Sequence, residues 1–288
     1  MNKQTKSRQR PPQEQEQQPG RQAEMTPRPE SIRDGYRGSD RLKGKVAIVT
    51  GGDSGIGRAV ALHYAREGAT VAFGYLNEKE DAAETERLIR EEGGECLALS
   101  GDVGDPEWCR AFVRRVLETY DRLDILVNNA AEQHTVESPE ELSPEQIERT
   151  FRTNVFAYLF MASEAAQHLG ENGCIINTGS VTGVRGHAKL IDYASTKGAI
   201  HALTFSLAQA LAERGIRVNA VAPGPVWTPL IPASFTAKEV AEFGSDTLMK
   251  RAGQPSEIAP AYVFLASDDA SFITGQTFHI NGGGHISA

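Results

Sequence analysis

The residue pair best suited to acid–base chemistry in this sequence is Tyr193 and Lys197, which stand four positions apart. Residues i and i+4 share one face of a helix, so the Lys197 ammonium can lie near the Tyr193 phenol. A phenol titrates near ~10 in water, whereas a general acid or base works best near the operating pH. Lowering the phenol pKa by about three units requires roughly 4 kcal/mol, which a neighbouring cation can supply in part. The pair alone is weak support, because a chain with seven tyrosines often contains one by chance.

A glycine-rich turn offers a second kind of chemistry, the binding of a phosphate. It follows the apolar run Val46–Thr50 and precedes an amphipathic segment, which predicts a strand, a tight turn and a helix. A pyrophosphate at a helix N-terminus must touch backbone N–H groups, and a Cβ would hold it away. A merely tight turn is the alternative interpretation. The residues assigned to dinucleotide binding are Gly51, Asp53, Ser54, Gly55, Ile56 and Gly57.

Together these features resemble the short-chain dehydrogenase/reductase family. The sequence Thr50-Gly-Gly-Asp-Ser-Gly-Ile-Gly is similar to the family's cofactor-binding turn. The family's Ser, Tyr and Lys intervals are matched by Ser180, Tyr193 and Lys197, with Asn154 upstream in Arg-Thr-Asn. The resemblance covers the chain from about residue 44 to 284. The Gly-rich wording and the long polar N-terminus resemble a bacterial subgroup of general stress and aldehyde-reductase-like members.

The resemblance implies a hydride transfer between a nicotinamide and a carbonyl or secondary alcohol, with Tyr193 as general acid/base. Ser180 would hold the substrate oxygen against the Tyr193 hydroxyl. Lys197 would also bind the nicotinamide ribose. Asn154 would interrupt a helix and position a water that links Lys197 to solvent. Two other functions remain open: a catalytically silent dinucleotide-binding sensor or scaffold, and a 3-oxoacyl-type reductase.

Further segments that resemble the family imply where the rest of the cofactor lies. Asn128-Asn129-Ala130-Ala131 is similar to the family's Asn-Asn-Ala-Gly, with Ala131 in place of Gly. Because a left-handed conformation would cost Ala about 1–2 kcal/mol, we expect ordinary backbone at Ala131. The additional cofactor-binding residues implied by the resemblance are Asp102, Val103, Asn129, Ala130, Pro223, Gly224, Val226 and Thr228.

The type of dinucleotide depends on the end of the second predicted strand. An Asp there would bind the adenosine 2′-hydroxyl, whereas an Arg would favour a 2′-phosphate. The strand ends Phe73-Gly74-Tyr75-Leu76-Asn77 with neither charge, and position 54 is Ser rather than a basic residue. We expect Tyr75 to contact the cofactor. The lack of a cation favours NAD, and NADP remains open.

The elements that must position these groups alternate along the chain. Short runs rich in Val and Ile alternate with longer amphipathic segments, which is typical of βαβ units and a parallel sheet. This pattern predicts an α/β protein, a doubly wound Rossmann fold with a seven-stranded parallel sheet, as a single domain over residues 41–288. The predicted strands are Val46–Thr50, Thr70–Tyr75, Glu95–Leu99, Leu123–Val127, Gly173–Thr178, Ile216–Val221 and Thr277–Ile280. Helices are predicted over 144–169 and from about Asp192 to Arg214, and 223–250 is predicted as a long loop with a short helix.

Residues 1–40 differ from the rest in composition. They hold seven Gln, five Pro and no apolar run, so burial cannot repay the entropy of folding them alone. We therefore predict a polar, largely disordered N-terminal extension, with an ordered portion over Ser31 to Arg41 at most. Deleting residues 1–24 is expected to leave turnover unchanged.

Charge and hydropathy exclude other classes of function. The formal charge is −8, and since the extension carries eight basic and six acidic residues, the body carries −10. An acidic body argues against binding of nucleic acid or an anionic membrane. No stretch approaches the roughly 18 to 20 apolar residues of a spanning helix. Three cysteines without paired spacing suit reduced thiols in the cytoplasm, and the scattered histidines predict no metal site.

The substrate and the assembly are the least determined features. Side chains beside the catalytic segments are assigned to a small-molecule carbonyl or alcohol substrate, namely Gln133, Ser180, Thr182, His187 and Trp227, with His134 as a further candidate. Trp227 could equally pack into a lid. The apolar content of 155–165 exceeds one core-facing stripe, and the family resemblance implies a homotetramer.

Overall fold

A seven-stranded, all-parallel sheet forms the centre of the structure, a computed structural model that describes residues 10–286. The strand order is β3-β2-β1-β4-β5-β6-β7, and every neighbouring pair is parallel. The strands are β1 Val46–Thr50, β2 Thr70–Tyr75, β3 Cys96–Ser100, β4 Ile125–Asn128, β5 Cys174–Thr178, β6 Arg217–Pro223 and β7 Thr277–Ile280. The predicted doubly wound Rossmann fold is confirmed, and strand ends differ from the predicted ones by at most two residues.

Helices connect the strands and cover both faces of the sheet. The α-helices are α1 Gly55–Arg66, α2 Lys79–Glu91, α3 Pro106–Tyr120, α4 Pro144–Phe151, α5 Ala157–Ala166, α6 Thr182–Arg185, α7 Ile191–Leu211, α8 Ala237–Glu242 and α9 Pro255–Ala266. Short 3₁₀ segments occur at Gln22–Glu24, Pro139–Glu141, Ala212–Arg214 and Asp268–Ala270. Across residues 10–286, no helix combines the length and apolar character needed to cross a membrane.

One predicted helix is divided. The segment predicted as a single helix over 144–169 consists of α4, a π-helical turn at Arg152–Phe156, and α5. The N-terminus of α4 follows the prediction, since the Ser143 hydroxyl accepts a hydrogen bond from the Gln146 N–H and Pro144 is the first helical residue. A single π-helical turn is only five residues long, too short for the apolar pattern of a 26-residue segment to reveal it.

Two apolar clusters hold the layers together, one on each face of the sheet. Ala47 and Val49 of β1 belong to the cluster beneath α1 and α9, whereas Val46 and Ile48 belong to the cluster beneath α3 and α5. This alternation follows from the period of two residues in a strand. Because both faces are covered, β1 is buried along its whole length.

The strand order reverses beside β1, where β2 lies on one side and β4 on the other. In doubly wound sheets the crevice outside the carboxyl ends of the strands at such a point is the usual ligand site. Thr50 ends β1 and Asn128 ends β4, so the glycine turn and the Asn-Asn-Ala-Ala segment meet at this crevice.

The N-terminal extension differs from its predicted form where the structure describes it. Residues 10–40 contain little regular structure but lie against the body, and Gln22 and Met25 are buried. Further along, the Tyr36 hydroxyl donates a hydrogen bond to Glu67, which is fully buried and also accepts from the Ser39 N–H. The segment alone has too little apolar surface to fold, but its polar groups form hydrogen bonds with residues of the body such as Glu67. Residues 1–9, also predicted as disordered, lie outside the described residues.

Candidate active site

The glycine turn between β1 and α1 has the geometry of a phosphate-binding loop. Gly51 and Gly55 have φ of +64° and +54°, a region that residues with a Cβ rarely adopt. At Gly57 a Cβ would lie 1.9 Å from the Gly51 carbonyl oxygen, so glycine is required there for close packing. The turn therefore brings the N-terminus of α1 to the cleft, where an anion can approach backbone N–H groups, although the Gly55 N–H itself donates to Gln22 Oε1 at 2.8 Å.

Side chains from β1 and from the end of β4 hold this turn in place. The Asn129 N–H donates to Thr50 Oγ1 at 2.9 Å, and Asn129 Nδ2 donates to the carbonyl oxygens of Thr50 and Gly51 at 3.1 Å. Ala131 is not among the residues with positive φ, as its replacement of glycine led us to expect. Asn129 is consequently a support for the phosphate turn as well as a residue of the cleft.

Tyr193 and Lys197 lie on one face of α7, as their spacing predicts. Lys197 Nζ donates to the Thr178 carbonyl oxygen at 2.8 Å and lies 5.5 Å from the Tyr193 ring centroid. Burial raises the pKa of Tyr193 to about 12, although the Ser180 hydroxyl acts in the opposite direction. Burial also lowers the pKa of Lys197 to about 7. The expected lowering of the phenol pKa is thus absent in the protein alone, because burial disfavours the charged forms of both groups.

Ser180 lies just beyond β5, facing the same cleft. Its Oγ accepts hydrogen bonds from the Thr182 N–H at 3.1 Å and from Thr182 Oγ1 at 2.9 Å. Because both Thr182 groups donate to Ser180 Oγ, the Ser180 hydroxyl can donate its own proton to a group in the cleft. Ser180, Thr182 and Tyr193 are each 8% exposed at the cleft wall.

Asn154 lies in the π-helical turn, behind the cleft rather than in it. Its Oδ1 accepts from the Glu132 N–H at 2.9 Å, and its Nδ2 donates to the Glu132 carbonyl oxygen and to Thr196 Oγ1 at 2.9 and 3.1 Å. The predicted interruption of the helix at Asn154 is present. Asn154 thereby ties the chain beside Gln133 to α7 at Thr196, one residue before Lys197, and its role in positioning a water beside Lys197 stays a prediction.

A single cleft of about 650 Å³ brings most predicted site residues together. The residues predicted for the cofactor that line it are Gly51, Asp53, Ser54, Gly55, Ile56, Tyr75, Asp102, Val103, Asn129, Ala130, Tyr193, Lys197, Pro223, Gly224, Val226 and Thr228. The residues predicted for the substrate that line it are Gln133, Ser180, Thr182 and His187. Gly57 and Asn154 support the cleft from behind, and His134 also lies outside its lining.

Trp227 does not line the cleft, contrary to its assignment to the substrate pocket. Its side chain is fully buried in a small apolar cluster with Met25, Ile231 and Val240. Its indole N–H donates to the Pro27 carbonyl oxygen at 2.8 Å. The large apolar ring is therefore part of the packing of the neighbouring segment, which was the alternative for this residue.

Sequence reasoning missed an acidic residue of the cleft, Glu78. Glu78 lines it, is 5% exposed, and its Oε1 has no hydrogen-bond partner. Burial raises the pKa of Glu78, and burial together with the charge of Glu78 raises the pKa of Asp53 to about 7. A detectable signal was present, because Glu78 stands about 20 residues after the glycine turn, where dinucleotide folds carry a ribose-binding acid. Sequence analysis ended one residue short of it, at Asn77.

The glycine turn, the switch-point cleft and the buried Tyr–Lys pair together define a dinucleotide-dependent α/β enzyme. Comparison with known proteins agrees. Residues 51–285 match a family model described as enoyl-(acyl carrier protein) reductase. General stress protein 39 of Bacillus subtilis is 52% identical, with 96% of this chain and 97% of that protein covered. The NADPH-dependent aldehyde reductase 1 of Arabidopsis thaliana, a chloroplast protein, is 50% identical over 96% of this chain and 98% of its own.

Among solved structures, a short-chain dehydrogenase from Burkholderia cenocepacia in complex with NADP is similar, with a TM-score of 0.79 and 37% identity. The alignment covers 84% of this chain and 98% of that one. The chain belongs to the short-chain dehydrogenase/reductase family. It is an oxidoreductase that acts on CH–OH or C=O groups with a nicotinamide dinucleotide, and this supports catalysis over the silent-sensor alternative.

Proposed function

We propose that this enzyme reduces small aldehydes, with Tyr193 as proton donor, Ser180 as the hydrogen-bond donor to the carbonyl oxygen, and Lys197 as the residue that holds the cofactor ribose. The observation that carries the proposal is the grouping of these three side chains in the wall of one cleft. The substrate class is supported by the similarity to the aldehyde reductase of Arabidopsis thaliana.

The cleft fits a dinucleotide on structural grounds. In the glycine turn, a Cβ at Gly51, Gly55 or Gly57 would lie within 3.2 Å of neighbouring atoms. Asp102 and Val103, assigned to the adenine end of the cofactor, line the same cleft. The pyrophosphate would lie against the start of α1, and the Val226 backbone with the Thr228 hydroxyl would hold the carboxamide. When bound, the reduced nicotinamide supplies the hydride that reduces the carbonyl carbon.

The protein's own residues handle the proton and the oxygen. The Tyr193 hydroxyl, kept neutral by burial, donates its proton to the carbonyl oxygen as the alkoxide develops. The Ser180 hydroxyl donates a hydrogen bond to the same oxygen, which stabilises the developing charge. Lys197, fixed by the Thr178 carbonyl, places a titratable amine beside the Tyr193 ring.

A Tyr193→Phe substitution tests this assignment. Removing a general acid costs typically about 10²–10⁴-fold in rate, so kcat for aldehyde reduction is expected to fall by at least about 100-fold while cofactor affinity is retained. Tyr64→Phe is the matched control, because the Tyr64 hydroxyl is buried, donates to the Tyr262 carbonyl oxygen at 3.1 Å and lies outside the cleft lining. Wild-type turnover by Tyr193→Phe on a substrate that the wild type reduces would disprove the role.

Comparing the rates on several substrates distinguishes an aldehyde reductase from an acyl reductase. The family model carries an enoyl reductase description, and a 3-oxoacyl substrate was an alternative from sequence. Small aldehydes, a 3-oxoacyl thioester and a 2-enoyl thioester should therefore be compared at equal concentration. Aldehyde reduction is expected to have the highest kcat/KM, and a higher value for either thioester would reject the aldehyde proposal.

We infer a preference for NAD from the acidic groups at the adenosine end of the cleft. Within residues 10–286, the basic side chains that line the cleft are Arg185, Lys189 and Lys197, all between β5 and the middle of α7. Asp53 and Glu78 line the other end, where Glu78 Oε1, which has no partner, can accept from a 2′-hydroxyl and a carboxylate repels a 2′-phosphate. Two of the similar proteins are named for NADP or NADPH, so their cofactor and this acidic end favour opposite choices.

Glu78→Gln decides between these choices. The ratio of kcat/KM with NADH to kcat/KM with NADPH is expected to exceed one in the wild type and to fall at least about tenfold in the variant, since a factor of ten corresponds to 1.36 kcal/mol. Glu80→Gln, an exposed change in the same helix turn, should leave the ratio unchanged. A wild-type ratio below one would reject the preference for NAD.

We also propose a homotetramer, supported by exposed apolar side chains on α5 and α7. Leu159 and Phe205 are 43% and 46% exposed, and Phe156 at the end of the π-helical turn is 40% exposed. Light scattering should give a mass of four 31.2 kDa chains, and a stable monomer would remove the proposal.

A further inference from the structure

A segment that covers one side of the cleft, residues 228–243, is called the lid here. Thr228, Ile231 and Phe235 of this segment line the cleft. The lid has its own small apolar cluster, which is separate from the two clusters of the sheet. Met25 is one of its four buried members. The N-terminal extension therefore contributes a side chain to the packing of the lid.

Residues 10–30 of that extension, called the belt here, are also hydrogen-bonded to the lid. The Gln15 N–H donates to the Pro232 carbonyl oxygen at 2.7 Å, and Gln18 Nε2 lies 3.4 Å from the Ala233 carbonyl oxygen. Gly20 packs directly on the lid, since a Cβ there would lie 2.4 Å from the Pro229 carbonyl oxygen. These contacts run along the outer side of the lid over several residues.

The same belt is also hydrogen-bonded to the body at the phosphate turn. Gln22 is 2% exposed, and its Oε1 accepts from the Gly55 N–H of the phosphate turn at 2.8 Å. The Gln22 and Ala23 N–H groups both donate to the Asp81 carboxylate, at 2.6 and 3.0 Å. The belt thus connects the lid to the turn that would hold the pyrophosphate.

Gln18 adds a connection to the substrate end. Its side-chain amide pairs with the backbone of Gln133, accepting from the N–H at 3.0 Å and donating to the carbonyl oxygen. Gln133 lines the cleft, and its Nε2 is buried without a partner. Pro19, between these attachments, itself lines the cleft. The belt crosses the mouth between the substrate end and the phosphate turn.

We propose that the belt fastens the lid over the bound dinucleotide, so that Gln18 and Gln22 are positioning residues that set how fast the cofactor leaves. The belt precedes residues 51–285, which the family model matches. Release of the cofactor requires the lid to separate from the phosphate turn, and the belt joins the two. The proposal rests on the use of a dinucleotide, which the family assignment supplies.

Gly20→Ala tests the proposal with minimal change. The added Cβ would meet the Pro229 carbonyl oxygen at 2.4 Å and Gln15 Oε1 at 2.8 Å, whereas the φ of Gly20 is outside the left-handed region. The substitution therefore pushes the belt off the lid without straining its own backbone. Gly35→Ala is the matched control in the same extension, because a Cβ there meets no atom within 4 Å.

Cofactor release should be measured by stopped flow, with bound NADH displaced by excess NAD and nicotinamide fluorescence recorded. We expect release from Gly20→Ala to be at least about fivefold faster than from the wild type, the effect of losing one or two hydrogen bonds. Release from Gly35→Ala should match the wild type, and kcat at saturating cofactor should not fall. Equal release rates in Gly20→Ala and the wild type would overturn the proposal.

A second pair of variants covers the case in which Gly20→Ala does not fold. Gln18→Ala removes the link to Gln133, whereas Gln17→Ala changes an exposed neighbour that contacts Arg21 within the belt. Hydrogen exchange should accelerate across residues 228–243 in Gln18→Ala but not in Gln17→Ala, and equal exchange would overturn the proposal. This readout needs no cofactor, so failure of the wild type to bind any dinucleotide would reject the proposed function and leave the test of the belt intact.

Discussion

Replacing Lys197 with Met is expected to stabilise the protein while abolishing activity, and the gain should depend on pH. Lys197 is 1% exposed, and burial lowers its pKa from 10.5 to about 7. Met retains the apolar stem of the side chain without the charge. The lost hydrogen bond leaves the Thr178 carbonyl oxygen with the Tyr158 hydroxyl as donor, at 3.2 Å.

The size of the gain follows from the two pKa values of Lys197. Between pH 7 and 10.5 the unfolded chain binds a proton that the folded chain does not, so wild-type stability rises with pH across this window. At 1.36 kcal/mol per pKa unit, the penalty for burying the amine is about 5 kcal/mol at pH 6, about 3 at pH 8 and about 1 at pH 10. Subtracting about 1 kcal/mol for the lost hydrogen bond leaves a net gain of about 4 kcal/mol at pH 6, about 2 kcal/mol at pH 8 and none at pH 10.

Urea unfolding of cofactor-free wild type and Lys197→Met at pH 6, 8 and 10, followed by far-ultraviolet circular dichroism, measures this gain. The control is Lys43→Met, since the Lys43 side chain is 73% exposed and pairs with Asp40 at the surface. It should show no gain that grows toward acid pH. A difference between Lys197→Met and the wild type that is constant from pH 6 to 10, or that reverses sign at pH 6, would refute the reasoning.

Two further predictions concern the cofactor turn and the direction of catalysis. Gly57→Ala should raise the dissociation constant for NADH by at least about tenfold, because its Cβ would lie 1.9 Å from the Gly51 carbonyl oxygen. Gly170→Ala, where a Cβ meets nothing within 4 Å, should bind NADH as the wild type does. Fluorescence titration measures both affinities, and equal values would contradict the turn geometry. Because burial raises the pKa of Tyr193, alcohol oxidation, which needs the phenolate, should rise with pH from 7 to 9, whereas reduction should not share this rise. A rate of oxidation that does not change over this range would contradict the assignment.

Sequence patterns predicted what depends on periodicity and local spacing. The seven strands and the common face of Tyr193 and Lys197 follow from side-chain periods of two and 3.6 residues, and the glycine turn follows from the steric demand of a phosphate. The π-helical turn at Asn154 was expected only through the family resemblance. The place of Trp227 could not be predicted, because its partners Met25 and Pro27 are some two hundred residues away in the chain.

The belt was missed for a related reason. The prediction of disorder for residues 1–40 considered only the apolar surface that these residues could bury among themselves, and a Gln-rich segment has little such surface. In the structure, the amide of Gln22 is buried because Gly55 supplies the donor and Asp81 accepts from its backbone. Polar side chains of this kind gain order only against a preformed partner surface. The expectation that deleting residues 1–24 leaves turnover unchanged stays a prediction, and that deletion would remove the contact between Gln22 and the phosphate turn.

The electrostatics of the cleft favour one direction of the reaction. Burial acts on Tyr193 and Lys197 alike: it raises the pKa of the phenol and lowers the pKa of the amine, so both groups are driven toward their neutral forms. A neutral phenol is already the proton donor that carbonyl reduction requires, whereas alcohol oxidation must first pay for a buried phenolate. The protein environment thus favours reduction at neutral pH, which agrees with the proposed reduction of aldehydes.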